Sequence, residues 1–217
     1  MIEQGYSPRI DRALAIASRA HGGEFRRGSD VPYVMHPVHV AMILVRYGLS
    51  EDVVIAGLLH DVLEDSDLYS EEDLRGEFGD EVVGLVLAVT ENKGDGETKR
   101  PWRVRKNEAI ARLRKGTPDE AALKAADAIH NLRSLTQEVA REGLKTMERF
   151  SKGPPETLWY YESIAAIVAD RLGVEHPMGT ELRHALKELT AAFERGDYSA
   201  EPHRVRGFFG AFTRVAS

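Results

Sequence analysis

The stretch "GLLHDVLEDSD", Gly57–Asp67, places ionisable side chains among large apolar ones. Its apolar residues follow the three- and four-residue spacing of a helix that faces a core. Within two or three turns it also carries His60, Asp61, Glu64, Asp65 and Asp67. Burying such groups is costly unless a metal ion, a cationic partner or water compensates them. The stretch therefore predicts a helix that holds a ligand.

The composition is that of one globular domain. The chain has 217 residues, 42% of them hydrophobic, and no long apolar run, which suits a continuous core. We predict one domain over residues 1–195 and a C-terminal tail of uncertain structure over 196–217. The formal charge of −6 argues against a general nucleic-acid binder. It still allows a small phosphorylated ligand to meet a local cationic patch.

The N-terminus lacks the basic and apolar regions of a signal peptide, and no window approaches the roughly 20 apolar residues of a membrane span. We therefore expect a cytoplasmic protein without a membrane partner, and the sequence leaves a homo-oligomer open. Cysteine is absent, so a bound metal would need His, Asp, Glu or water as ligands. Such ligands favour Mn, Mg, Fe or Zn.

Helical periodicity runs through almost the whole chain and predicts an all-α fold. The periodic segments are Ile10–Ala20, Val38–Tyr47, Asp52–Leu63, Glu81–Val89, Val104–Leu113, Glu120–Leu135, Leu158–Leu172 and Leu182–Phe193. Thr117, followed by Pro118, predicts a firm helix start. Ser70 predicts the cap of a shorter helix that ends near Gly79.

Two further segments carry ionisable side chains in apolar surroundings. In "LKAADAIHNLRSL", Asp127, His130 and Asn131 share one helix face. In "PYVMHPVHVAMIL", His36 precedes Pro37 where a loop turns into a helix. Either feature alone is more often a packing or capping residue than a ligand. Together with the stretch quoted first, the segments supply four candidate ligands of one ion: His36, His60, Asp61 and Asp127.

The other histidines are interpreted as structural. They are His21, His39, His176, His184 and His203. His39 lies three residues after His36, but it falls among apolar neighbours. We therefore leave it out of the predicted ligand set.

A resemblance to a known family rests on four segments in order: "AHGGEFRRGSDVPYVMHPVHVAMIL", "AGLLHDVLEDSD", "FGDEVVGLVLAVTENK" and "LKAADAIHNLRSL". The chain resembles the HD-domain hydrolases of the Rel/SpoT-homologue family, specifically the single-domain small alarmone hydrolases, from about His21 to about Leu172. The resemblance implies an all-α HD-domain helical bundle. It also implies one Mn ion and removal of the 3′-pyrophosphate of guanosine tetra- or pentaphosphate, which yields GDP or GTP.

By this resemblance, the four candidate ligands match the family's metal positions, and Glu64 with Asp65 match the acidic pair tied to hydrolysis. The chemistry of the residues agrees. A divalent ion lowers the pKa of a bound water, and Glu64, one helical turn beyond His60, is placed to orient or deprotonate that water. Asp65 is expected to share the proton transfer or to support a ligand.

The resemblance and the charge pattern also predict contacts to a nucleotide substrate. These residues are Arg26, Arg27, Asn131, Arg105, Lys106 and Tyr161. Arg26 and Arg27 match a basic pair of which one member stacks on the base in relatives. Tyr161 resembles an aromatic residue on the nucleoside side. Arg105 and Lys106 follow a glycine-rich loop and would balance substrate charge.

Other functions remain open at this stage. Glu24 stands where the family usually has Gln, which is a departure on the substrate side. The loops do not reveal which base the pocket prefers, so NADPH or an adenine alarmone is an alternative substrate. A nucleotide-sensing or antitoxin-like binding module is a further alternative. Glu64 and Asp65 count against a purely regulatory role, since a sensor has no need of a water-activating acid.

Overall fold

The computed structural model describes residues 7–92 and 100–196. In these ranges the chain forms α1 Pro8–Ala20, α2 Met35–Arg46, α3 Glu51–Leu59, α4 Val62–Asp65, α5 Glu71–Phe78, α6 Asp80–Val89, α7 Trp102–Leu113, α8 Pro118–Glu142, a 3₁₀ segment Gly143–Arg149, α9 Pro154–Leu172 and α10 Pro177–Arg195. The same ranges contain no strand, only one isolated bridge between Phe25 and Pro32. The predicted all-α fold is confirmed.

Helix α8 is the central element of the bundle. It packs against α2, α9 and α10, while α3 packs against α1, α2 and α6. The buried face of α8 is rich in alanine, with Ala121, Ala125 and Ala128 all fully buried. Small side chains let neighbouring helices approach closely, so polar groups on α8 can reach groups on α2 and α3.

Local signals define several helix ends as predicted. The Thr117 hydroxyl accepts a hydrogen bond from the Glu120 N–H at 3.2 Å, with Pro118 in the first turn. Ser70 and Asp73 form a reciprocal capping box at the start of α5. Gly79 ends α5 with φ of 89°, a conformation that residues with a Cβ rarely adopt.

The predicted continuous helix Asp52–Leu63 is wrong, because the structure divides it into α3 and α4 at His60 and Asp61. The His60 ring donates from Nδ1 to the Gly57 carbonyl at 2.9 Å. The hydrogen bonds that begin α4 are accepted by the Asp61 carbonyl, from the N–H groups of Glu64 and Asp65. His60 and Glu64 therefore do not form one row of a single helix.

Other helices are longer than the segments predicted from the sequence. Helix α8 continues to Glu142, beyond the predicted end at Leu135, and α9 starts at Pro154 rather than Leu158. The predicted tail lies outside the described residues from 197 onward. Within the described ranges, no helix is both long and apolar enough to cross a membrane.

We expect the Thr117 cap to stabilise α8 measurably. Replacing Thr117 with Ala should lower the free energy of unfolding by about 1 kcal/mol, because one N–H in the first turn loses its acceptor. Thr117→Ser keeps the hydroxyl and is the matched control. Urea unfolding of the three proteins measures the difference, and equal midpoints for the Ala variant and the parent would contradict the assignment.

Candidate metal centre

The four predicted ligands meet at one buried point. His36 comes from the first turn of α2, His60 and Asp61 from the α3–α4 junction, and Asp127 from the middle of α8. His36 Nε2 lies 3.2 Å from His60 Nε2, 3.3 Å from Asp127 Oδ1 and 3.5 Å from Asp61 Oδ2. Ligand atoms of His36, His60 and Asp127 all lie within 4.8 Å of one another.

The break between α3 and α4 brings the neighbouring His60 and Asp61 together. In a regular helix, consecutive side chains point about 100° apart around the axis. At this junction, His60 Nε2 and Asp61 Oδ2 lie 3.3 Å apart. Both side chains can therefore serve one ion.

The tautomer of His60 follows from its backbone contact. Because the Gly57 carbonyl can only accept a hydrogen bond, the proton of the neutral ring lies on Nδ1. Nε2 then carries a lone pair directed at the cluster. Burial lowers the pKa of His36, which favours the neutral imidazole that binds metals.

Asp127 is fixed by two neighbours on its own helix. Lys124 Nζ lies 2.7 Å from Asp127 Oδ2, and Asn131 Nδ2 donates to Oδ1 at 2.5 Å. Burial alone would raise the pKa of Asp127, but the Lys124 charge and the His36 contact outweigh it and hold the pKa well below its usual range. The carboxylate stays ionised and faces the histidines.

Asp61 is fixed by Tyr33, whose hydroxyl donates to Asp61 Oδ2 at 2.7 Å. Burial raises the pKa of Tyr33 above its ordinary value, and the Asp61 charge adds to the effect. The phenol therefore remains a donor. Burial would also raise the pKa of Asp61, but its contacts with the two histidine rings and with the Tyr33 hydroxyl outweigh burial and lower that pKa.

This donor set fits a divalent cation. Lone pairs and carboxylate oxygens of largely buried side chains converge at one point, where they repel one another unless positive charge lies between them. A mixed set of imidazole nitrogens and carboxylate oxygens suits Mn, Fe or Zn. His36, His60 and Asp127 can hold one such ion, with Asp61 directed at the same point.

Glu64 and Asp65 lie beside the cluster, on α4. Together with Tyr33 and Asp61 they line an open cleft whose rim includes Arg27. Glu64 Oε2 accepts the backbone N–H of Glu91 at 2.9 Å. The cleft thus presents two carboxylates next to the candidate ion site and opens it to a ligand from solvent.

A family model of the HD domain matches residues 13–151. The chain belongs to the HD-domain family. Among the curated relatives of this HD domain, the GTP pyrophosphokinase of Streptomyces coelicolor is 38% identical over 80% of this chain and 19% of its own length. The guanosine-3′,5′-bis(diphosphate) 3′-pyrophosphohydrolase of Haemophilus influenzae is 36% identical over 81% of this chain and 23% of its own length.

The HD domain also has solved structural neighbours. One is described as a metazoan ortholog of SpoT that hydrolyzes ppGpp and plays a role in starvation responses. It is 27% identical, with a TM-score of 0.64, and the match covers 88% of this chain and 97% of that one. The predicted resemblance to the Rel/SpoT-homologue family is confirmed. The chain spans only about a fifth of the length of the curated relatives just named.

Of the predicted substrate contacts in this HD domain, Arg26 and Asn131 lie close to the ligand cluster. Arg26 Nη2 donates to Asn131 Oδ1 at 2.7 Å, and its guanidinium lies 5.5 Å from the Tyr33 ring centre. Arg27 is exposed, donates to the Arg149 carbonyl at 2.8 Å and lines the cleft. Arg27 is therefore within reach of a ligand in the cleft, whereas Arg26 is tied to the ligand cluster through Asn131.

Arg105 and Lys106 are bound to a buried acid. Arg105 Nη1 lies 2.7 Å from Glu91 Oε2, and Lys106 contacts the other oxygen of the same carboxylate. Burial would raise the pKa of Glu91, but Lys106, Lys124 and Arg105 outweigh it and lower that pKa. Since the Glu91 N–H also bonds to Glu64, this ion cluster supports the edge of the cleft.

Tyr161 is partly buried and packs against the core. Burial raises its pKa, and the negative charge of Asp127 adds to the effect. The phenol is therefore protonated at neutral pH. Its contact with a nucleoside stays a prediction.

Sequence reasoning missed several residues that hold the ligands in place. Tyr33 and Lys124 are ordinary residues in isolation, and only the structure shows their bonds to Asp61 and Asp127. The three-residue spacing of Lys124 and Asp127 on an apolar helix was an available signal. His39, which we interpret from the sequence as structural, contacts His130.

The Glu91 ion cluster predicts a pH-dependent stability. A carboxylate with a lowered pKa stabilises the fold above its ordinary value of 4.5, and this stabilisation is lost as the pH falls through the lower folded-state pKa. Glu91→Gln should therefore lower the free energy of unfolding by roughly 3 kcal/mol at neutral pH, because two cations lose their partner. The difference from the parent should shrink below pH 4.5.

Urea unfolding at a series of pH values measures this difference. Glu162→Gln, on the exposed face of α9, is the matched control and should change little at any pH. A Glu91→Gln penalty that stays constant between neutral pH and strong acid would show that the ion cluster is not its source.

Proposed function

We propose that this HD domain is a divalent-metal-dependent hydrolase that removes the 3′-pyrophosphate of guanosine tetra- or pentaphosphate and releases GDP or GTP. The observation that carries the proposal is the convergence of two imidazole nitrogens and two carboxylates beside Glu64 in an open cleft. The names of the Haemophilus influenzae relative and of the SpoT ortholog supply the substrate class. We propose Mn²⁺ as the native ion: the mixed nitrogen and oxygen donor set accepts it, and the family resemblance favours it over Fe or Zn.

The ion would be held by His36, His60, Asp61 and Asp127. When bound, it lowers the pKa of a water and neutralises phosphate charge. Lys124 and Tyr33 keep the two aspartates ionised and oriented, so the ligand set is formed before substrate arrives.

Glu64 is the proposed general base. Its Oε2 accepts the Glu91 N–H, which fixes the carboxylate at the cleft. From there the carboxylate accepts a proton from the attacking water as the water's oxygen bonds to phosphorus. Asp65 lines the same cleft and passes the proton taken up by Glu64 to the leaving 3′ oxygen as the bond between that oxygen and phosphorus breaks.

The nucleoside is proposed to lie on the arginine side of the cleft. Arg27 is exposed and lines the cleft, so its guanidinium can stack on a base or pair with a phosphate. Arg26 is linked through Asn131 to the ligand Asp127. Substrate contact at Arg26 would therefore be relayed to the metal ligands. We also propose that Tyr161 contacts the nucleoside. Arg105 and Lys106, which pair with Glu91, are proposed to balance the negative charge of the substrate.

A product analysis tests the substrate. Protein freed of metal and reloaded with Mn²⁺, Mg²⁺ or Zn²⁺ is incubated in parallel with guanosine alarmones, adenosine alarmones and NADPH, and the products are identified by mass. We expect GDP or GTP with pyrophosphate from the guanosine alarmones, greatest activity with Mn²⁺ and none without metal. Preferred turnover of NADPH or an adenine alarmone, or of no nucleotide at all, would overturn the proposed substrate.

The role of Glu64 is tested by Glu64→Gln. The amide keeps the size of the side chain but cannot accept the proton, so kcat should fall by about 10²- to 10⁴-fold with bound metal and KM nearly unchanged. Melting temperature, metal content and single-turnover rate are measured on one preparation. Glu162→Gln controls for the loss of a charge. A stable, metal-loaded Glu64→Gln protein that hydrolyses at the parental rate would remove Glu64 from the base role.

A further inference from the structure

Three imidazoles lead in a line from the candidate metal centre to the surface. His36 Nδ1 lies 2.7 Å from His130 Nδ1, and His130 Nε2 lies 3.1 Å from His39 Nδ1. His36 and His39 occupy successive turns of α2, and His130 reaches them from α8. His36 is buried, His130 is partly buried and His39 is exposed.

The two nitrogens of His36 have different surroundings. Nε2 faces His60, Asp61 and Asp127, whereas Nδ1 faces only another imidazole among the contacts that the structure describes. A neutral histidine that binds an ion through Nε2 must carry its proton on Nδ1. That proton then points at His130 Nδ1.

This proton position determines the rest of the line. His130 Nδ1 has to accept, so the His130 proton lies on Nε2 and is donated to His39 Nδ1. The opposite arrangement would place a proton on His36 Nε2, at the position that the ion needs. Donation from His36 to His130 and from His130 to His39 is therefore compatible with a bound ion, whereas donation in the reverse order is not.

We propose that His130 is a positioning residue, whose Nδ1 acceptor holds the His36 ring in the tautomer and orientation that direct Nε2 at the ion. The inference rests on the metal site of the proposed function, but not on its substrate. Such outer contacts to metal-binding histidines usually come from a carboxylate, a carbonyl or water. Here a second histidine, itself bonded to a third, fills that role.

The acceptor role requires a neutral His130 ring. A protonated ring would donate from both nitrogens and could not accept from His36. The 2.7 Å separation of the two Nδ1 atoms places one of them as donor and the other as acceptor.

Three substitutions of His130 distinguish a role as hydrogen-bond acceptor from a role in packing alone. His130→Asn places its amide oxygen near the former Nδ1, His130→Gln carries the amide one bond farther from the backbone, and His130→Leu fills the space without any acceptor. Mn²⁺ affinity of the metal-free proteins is measured by titration calorimetry. We expect a loss of about 10- to 100-fold for Leu and Gln, as is typical for outer contacts to metal ligands, and recovery towards the parental value for Asn.

His184→Leu is the matched control, because this exposed histidine on α10 is not part of the line. Parental Mn²⁺ affinity in both His130→Leu and His130→Gln would overturn the inference, as would equal losses in the Asn, Gln and Leu variants. If Leu prevents folding, the Asn and Gln pair decides the question alone.

A spectroscopic measurement tests the proton positions directly. The parental protein is labelled with ¹⁵N-histidine and loaded with diamagnetic Zn²⁺, and the His130 signals are identified by their disappearance in His130→Asn. We expect a protonated Nε2 and an unprotonated Nδ1 in His130. The reverse assignment, or a charged ring, would overturn the inference.

Neither measurement uses a nucleotide. The positioning role can therefore fail while alarmone hydrolysis holds, and the proposed substrate can fail while His130 still supports ion binding.

Discussion

The structure depends on holding mutually repelling atoms together. The Nε2 atoms of His36 and His60 lie 3.2 Å apart, with carboxylate oxygens of two aspartates close by. In a water-poor interior such lone pairs and negative charges repel strongly. Helix packing has to impose their proximity, so α2, the α3–α4 junction and α8 need rigid contacts with one another. The small side chains on α8 are what permit those contacts.

Three of the four candidate ligands are held in place by a group outside the ligand cluster. Lys124 balances Asp127, Tyr33 donates to Asp61, and the Gly57 carbonyl fixes the His60 ring. Glu64 is held in a similar way, because its carboxylate accepts a hydrogen bond from the backbone N–H of Glu91. The site is therefore two layers of polar groups within an apolar bundle, and the outer layer sets the charge and direction of the inner one.

Much of this arrangement could be predicted from the sequence, for identifiable reasons. His60 and Asp61 stand out because ionisable groups are rare in an apolar helix, and Thr117 marks a helix start by local chemistry alone. The break at His60 could not be predicted, because the bond found there, from the His60 ring to the Gly57 carbonyl, has no signal in the sequence. Tyr33 was missed because its meaning depends on a contact with Asp61, 28 residues away.

The spacing of the ligands along the chain has a consequence for folding order. His36 and His60 are separated by 24 residues, whereas the ligand Asp127 lies much later in the chain, on α8. Three of the four ligands can thus come together through local contacts, but completion of the site waits for the long-range docking of α8. An ion that binds only the completed site stabilises the docked state by mass action. We expect metal supply to govern how often α8 detaches, and with it the exposure of the chain to proteases and its lifetime in the cell.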